Sequence, residues 1–177
     1  PKSELISWKP DIVLVLWRLE EIIPQFYANP NIFSNKEYNN FIKKIKIRIN
    51  HLTNNYTKLL NSPLILSTMP IPQIIDIHDI NNTVSYRRLV EEINLLIFKC
   101  QSKFKKISIF DFNGWCSIYG KDSFDRKMDF FARQPISFKH LPSFSLNLAR
   151  SLAPLIRPSC KVLAIDLDNV IWGGVLG

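Results

Sequence analysis

Cysteine and glycine are scarce in this sequence, acidic residues are outnumbered by basic ones, and no long apolar run occurs. Three cysteines, Cys100, Cys116 and Cys160, are too few and too widely spaced for a disulfide framework, and their number is odd. They suit a reduced, cytoplasmic setting. The glycines form no Gly-x-Ser-x-Gly nucleophile elbow and no phosphate loop of the Gly-Lys-Ser/Thr type. The longest apolar run, Ile12 to Trp17, is strand-sized, far below the ~18 residues of a membrane span, and nothing reads as a signal peptide. What is present is ordinary for a folded chain: 46% apolar and 21% charged residues over 177 positions. Isoleucine, leucine, valine and phenylalanine suffice for a core, which excludes disorder as the main state. The length is that of one domain or one and a fraction, at about 100–200 residues per domain.

The net charge is +8. Such a balance permits an anionic partner. The cations are grouped, with Lys43, Lys44, Lys46 and Arg48 in one set and Lys99, Lys103, Lys105 and Lys106 in another. Both sets fall on expected helices or their ends, where a charge run forms a solvated face. No RNA-recognition, zinc-finger or helix-turn-helix signature accompanies them, so nucleic acid is not an expected partner. The chain begins at Pro1 and stops at Gly177 just past a motif. Both ends are expected to be cut from a longer protein.

Strand-like and helix-like stretches alternate. Asp11 to Leu16 follows Pro10 and reads as a strand covered on both faces, which the chain leaves from Trp17 to Pro24. Ser34 to Leu60 reads as a long helix. Ser34 and Glu37 form a capping box, and Tyr38, Ile42, Ile45, Ile49, Leu52, Tyr56 and Leu59 share one face. The same spacing fits a coiled-coil seam, but flanking strand-like runs favour a crossover helix packed on a sheet. Pro63 to Ser67 reads as a second strand, and the stretch through Asn82 as a loop. A helix from about Val84 to Lys103 carries Leu89, Ile93, Leu96, Ile97 and Cys100 on its apolar face. Ile107 to Phe110 is a third strand. Asn113-Gly114 is expected to break the chain before a short amphipathic stretch to Gly120. Asp122 to Arg133 and Leu141 to Ile156 read as helices, the latter with Pro154 in its last turn. Lys161 to Ile165 is the fourth strand. The expected class is α/β, a parallel sheet with flanking helices and right-handed crossovers. The expected boundary lies between Ile156 and Cys160, dividing the chain into 1–157 and 158–177.

The fourth strand delivers two aspartates, Asp166 and Asp168, at its carboxyl end. In open parallel sheets, ligands bind at that edge. In extended backbone the two carboxylates share one side, and their repulsion is relieved by a hard, oxygen-ligated cation such as Mg2+. A carboxylate can attack phosphorus to give an aspartyl-phosphate while its neighbour acts as acid and base. Gly173 and Gly174 permit a sharp turn beyond. An Asp-x-Asp pair by itself reads equally as an Asp/Asn-rich turn after a strand. The longer string, from Val162 through Asp166-Leu-Asp168-Asn-Val170 to Trp172-Gly173-Gly174, is far more specific.

That string resembles motif I of the haloacid dehalogenase (HAD) superfamily, Asp-x-Asp-x-Thr/Val. Its extension through Val175-Leu176-Gly177 resembles the FkbH-like branch, subfamily IIIC. Upstream, Pro10-Asp11, Arg18-Leu-Glu20-Glu21, and Phe124-Asp125 through Ala132-Arg133-Gln134-Pro135 are similar to the N-terminal part of such proteins. The resemblance implies an SGNH-hydrolase-like α/β domain over 1–157, its first Gly-Asp-Ser block missing. The first strand of a HAD-like Rossmannoid domain would follow over 158–177. It implies that Asp166 is the nucleophile and a Mg2+ ligand, and that Asp168 is the general acid/base and a second ligand. It implies a phosphorylated small-molecule substrate and, in some members, loading of a glyceryl unit on an acyl carrier protein in polyketide-type biosynthesis. Members associated with that loading often carry Cys between the aspartates. Leu167 stands there in this chain, so phosphatase action and other phosphoryl transfers stay open beside thioester loading. The superfamily's later Ser/Thr, Lys and acidic groups do not occur by Gly177, so this polypeptide alone is expected to be inactive.

Elsewhere, Asp76-Ile-His78-Asp79 could hold a metal or imitate an Asp/His pair, but no second histidine or cysteine is near. Cys116 reads as packing, His51 as solvated, and Trp8, Trp17 and Trp115 as core or interface aromatics. Two further readings stand beside the enzyme. One is a non-catalytic module that docks an acidic acyl carrier protein through the positive charge. The other is a non-catalytic, truncated product.

Overall fold

The computed structural model describes residues 4–23, 34–71 and 84–157. The elements in chain order are α1 (Glu4–Trp8), β1 (Val13–Val15), α2 (Leu19–Ile22), α3 (Asn35–Leu59), β2 (Leu64–Ser67), α4 (Tyr86–Lys103), β3 (Ile107–Phe110), α5 (Phe112–Tyr119), a 3-10 turn (Gly120–Ser123), α6 (Arg126–Ala132) and α7 (Leu141–Ile156). The class is α/β, as the alternation of patterns anticipates: a three-stranded parallel sheet of order β1-β2-β3, flanked by helices. Val13 lies opposite Leu64 and Val15 opposite Leu66, while Leu64 lies opposite Ile107 and Ser67 opposite Phe110.

Alternation of side chains along β2 divides the interior into two cores. Leu64 and Leu66 pack with Leu19, Ile45, Ile49, Leu89, Val90, Ile93 and Ile97, so α3 and α4 form the layer on one face. Ile65 packs on the other face with Phe110, Phe112, Trp115, Ile136 and Phe144, from β3, α5, α7 and the chain between α6 and α7. The second core is largely aromatic, with Phe144 edge-on to Phe110 at 5.5 Å between ring centres and to Trp115 at 5.2 Å. All four residues of β2 are buried. Strand β1 is shorter than its apolar run and only half-buried. Among the described residues it is an edge strand, although Val13 and Val15 meet one core and Ile12 and Leu14 the other.

Helix α3 forms as its cap and spacing require. The Ser34 hydroxyl accepts from the Glu37 backbone N–H at 3.3 Å, and the Glu37 carboxylate accepts from the Ser34 N–H at 2.9 Å. Tyr38, Ile45, Ile49 and Tyr56 are buried against the sheet layer, so α3 is a crossover helix and not a coiled-coil strand. Leu59, expected on that face, is 58% exposed. Thr53, which the apolar spacing did not include, is fully buried, and its hydroxyl donates back to the Ile49 carbonyl at 2.9 Å.

Two other local expectations are corrected. Asn113-Gly114 does not break the chain. The Asp111 carboxylate accepts from the Gly114 N–H at 3.0 Å and caps α5, so the pair sits in the first helical turn. A Cβ on Gly114 would lie 2.2 Å from that carboxylate, so the cap itself demands glycine. The helix expected from Asp122 starts only at Arg126, because Phe124 bridges to Ile136 and Asp125 caps α6 by accepting from the Met128 N–H at 3.0 Å. Trp8 is 72% exposed and belongs to neither core, whereas Trp115 is buried. The fourth strand at Lys161–Ile165 and the loop motif at Asp76–Asp79 lie outside the described residues.

Candidate functional site

Asp166 and Asp168, on which the sequence concentrates the chemistry, also lie outside the described residues. What the structure describes is the carboxyl edge of the three preceding strands, the edge where parallel sheets bind ligands.

Each strand there ends in a polar lock. After β1, the Trp17 indole N–H donates to the Ser67 carbonyl at 2.7 Å, and its backbone N–H donates to the Ser67 hydroxyl at 3.3 Å. After β2, the Thr68 hydroxyl donates to the Asp111 carboxylate at 2.9 Å and accepts from the Asn113 N–H at 2.9 Å. Met69 is held like one residue of a strand by a side chain. Its N–H donates to the Asn94 carbonyl oxygen at 2.7 Å and its own carbonyl accepts from the Asn94 amide at 2.9 Å. The Ile71 N–H donates to Asn113 at 3.1 Å. Thr68 and one carboxylate oxygen of Asp111 thus join β2, β3 and α5.

Beside this edge, Arg18 is buried and forms a double clasp. Its guanidinium donates to both Asp129 oxygens at 2.8 and 3.1 Å, and to Glu21 at 3.1 and 3.2 Å. Burial acts to lower its pKa, but the hydrogen bonds and charges of Asp129 and Glu21 outweigh burial and leave it raised. The clasp ties β1's exit to α6, a helix that buries none of its residues.

Next to it lie Glu20, Cys116 and Ser123. One carboxylate oxygen of Glu20 is buried and has no hydrogen-bond partner among the described residues. The Cys116 thiol is pushed up to about 12, chiefly by burial and further by the charges of Asp111 and Glu20, against the hydrogen bond with Ser123. A thiol so disposed is a packed, protonated group and not a nucleophile, as its sequence setting suggested. His140 packs its ring 4.4 Å from that of Tyr119, and its Nε2 is buried without a hydrogen-bond partner among the described residues. Tyr119 in turn bonds the Ser143 hydroxyl. His51 is exposed on α3, where its ring nitrogens meet Asn55.

Among the described residues, no group of three or more His, Cys, Asp or Glu side chains is placed to hold a metal ion. No described helix is long and apolar enough to cross a membrane. The described chain is thus a braced platform. Asn94, Thr68 and Asp129 were not singled out in the sequence. Each is a lone polar residue whose partner lies 25, 43 or 111 positions away, a relation that no local pattern carries.

No protein-family model matches the sequence, and no curated protein matches it. The fold is similar to the crystal structure of the N-terminal part of the protein BF1531 from Bacteroides fragilis, which contains a phosphatase domain and is complexed with Mg. The TM-score is 0.75 at 18% identity, over 99% of this chain and 45% of that one. The likeness is one of fold, and this chain spans less than half the length of that structure.

Proposed function

We propose that this chain is part of an FkbH-like protein of the HAD superfamily that performs Mg2+-dependent phosphoryl chemistry. Residues 1–157 would form an SGNH-like domain, and 158–177 would open the catalytic one. The observation that carries this reading is the string Asp166-Leu-Asp168-Asn-Val170 followed by Trp172-Gly173-Gly174, set after an apolar run. The fold shared with a structure that contains a phosphatase domain and Mg supports it.

In this reading Asp166 attacks the phosphorus of a phosphorylated small molecule, and the phosphate ester's oxygen leaves with a proton supplied by Asp168. Asp168 then takes a proton from water as it attacks the aspartyl-phosphate, releasing phosphate. The donor set, two carboxylates one residue apart, fits a hard cation held through oxygen. Mg2+ bound there offsets the charge between carboxylate and phosphate. Glyceryl loading on an acyl carrier protein remains the finer proposal for the parent protein, and a cytoplasmic setting accords with the few cysteines.

Between Asp168 and Gly177 there is no serine, threonine, lysine or further acid. A polypeptide extended to include such groups is expected to show Mg2+-dependent hydrolysis of p-nitrophenyl phosphate, and Asp166→Asn to reduce its turnover by about a thousandfold or more. Turnover by the extended protein that survives in Asp166→Asn would overturn the assignment, as would an extended, folded protein without phosphatase activity.

A further inference from the structure

Residues 125–135 leave the fold and return to the point of departure. Phe124 and Ile136 form an antiparallel bridge there. The Asp125 N–H donates to the Pro135 carbonyl at 2.8 Å, and the Ser137 N–H donates to the Ser123 carbonyl at 3.0 Å. The two ends are thus stapled together, with the side chains of Phe124 and Ile136 packed into the aromatic core. Between the ends stands α6. Its backbone bonds stay within the excursion: the Asp129 N–H donates to the Asp125 carbonyl at 2.8 Å, and the Arg133 N–H to the Asp129 carbonyl at 3.1 Å. No residue of α6 is buried, and none joins either core. Phe130 and Phe131 are 78% and 74% exposed and meet each other edge to face, 5.3 Å between ring centres. Arg133, at φ 53°, ends the helix in left-handed backbone and turns the chain back to the staple.

Among the described residues, the hydrogen bonds that tie this excursion to anything beyond its staple are those of Asp129 to Arg18, at 2.8 and 3.1 Å. Arg18 follows β1, so the tie is made at the carboxyl edge of the sheet. A two-pronged guanidinium–carboxylate pair is strong and tolerates little displacement. A helix of seven residues with no packed face does not hold itself together in water. The place of α6 therefore hangs on one clasp. A group at the foot of the excursion favours its release. The buried Glu20 oxygen has no hydrogen-bond partner among the described residues. Its charge acts on Cys116, whose thiol bonds Ser123 in the staple. An unpaired buried oxygen costs free energy that water would return on entering. We infer that residues 125–135 are a flap at the carboxyl edge of the sheet, hinged at the Phe124–Ile136 bridge and latched by Arg18 on Asp129. The flap opens as a unit while both cores stay folded, carrying the Phe130–Phe131 pair away from the exit of β1. The latch, made between residues 111 positions apart, sets how often it opens. The inference does not rest on the phosphoryl chemistry of Asp166.

The test is amide hydrogen exchange of the 177-residue chain, read segment by segment by mass spectrometry at neutral pH. In the parent chain the hydrogen-bonded amides of Asp129 to Gln134 are expected to exchange at least about tenfold faster than those of β2 and α7. Asp129→Asn keeps the side chain's size and removes the charge from the latch. It should speed exchange in α6 by a further fivefold or more, while β2 and α4 change by less than about twofold. Ile93→Ala weakens the core under α4 and should do the reverse, speeding β2 and α4 about tenfold or more and leaving α6 as it was. Chymotrypsin should cut first after Phe130 or Phe131, faster in Asp129→Asn, and leave a nicked chain with native circular dichroism. Protection of α6 equal to that of β2 in the parent would overturn the inference. So would exchange in Asp129→Asn that rises equally in every segment, or not at all in α6. Where Asp129→Asn does not fold, the parent's pattern and Ile93→Ala decide: α6 following β2 and α4 in Ile93→Ala means that no separate flap exists.

Discussion

At the scale of single residues, burial decides chemistry more than residue type does. Cys116 and Cys100 are both buried and both have raised pKa values, with burial the leading cause in each. For Cys116 the consequence can be measured. An unfolded thiol ionises near ~8.5, whereas the folded one does so at about 12. Below the unfolded value both states hold the proton and the stabilisation is complete. As pH rises from there towards 12 the unfolded state releases its proton first, and stability falls by up to about 1.4 kcal/mol per pH unit from this group. Tyr38 acts in the same direction at higher pH, raised by burial and then by its hydrogen bond to Glu92. Urea midpoints measured from pH 7 to 11 should therefore decline, and Cys116→Ala should flatten the part of the decline between about 9 and 11. An identical slope in the variant would show that the thiol is not held protonated by the fold. Glu37 runs the other way: the hydrogen bond from the Ser34 backbone, then that from its hydroxyl, lower its pKa.

At the scale of elements, the helices were legible and their attachments were not. Helices α3, α4 and α7 announce themselves through long apolar periods, α3 also through its capping box, and the structure places them within a residue or two of expectation. Asn113-Gly114 misled because the pair is a turn signal in isolation. Only the Asp111 carboxylate, fixed at the end of β3 by Thr68, turns it into a helix start. The strongest such attachment is Asn94, buried in α4, which satisfies both backbone groups of Met69. Asn94→Leu leaves a buried N–H and a buried carbonyl unpaired and should cost about 2–4 kcal/mol, read as a lowered urea midpoint with unchanged slope. Asn94→Asp keeps an acceptor for the N–H but sets a negative charge against the carbonyl. It should also destabilise at neutral pH, and should recover part of the loss on acidification, when the protonated acid can donate. A neutral effect of Asn94→Leu would mean that water satisfies Met69 in its place.

At the scale of the whole molecule, β2 is shared by both cores, Leu64 and Leu66 facing one and Ile65 the other. The two layers should therefore unfold together. Ile93→Ala in one core and Phe144→Ala in the other are each expected to cost about 2–5 kcal/mol, and in each variant far-UV circular dichroism and tryptophan fluorescence should report one coincident transition. A transition that splits in either variant would show two independently stable layers. The sequence by itself determined the α/β class, the alternation of strand and helix, and the long helices. These follow from periodicity, capping and residue type over short spans. Tertiary structure decided that Arg18 meets Asp129, that Asn94 stands in for a strand, that Gly114 begins a helix, and that α3 and α4 pack on the same side of the sheet. Those facts depend on which distant segments the sheet brings within a few ångströms, the range over which hydrogen bonds form.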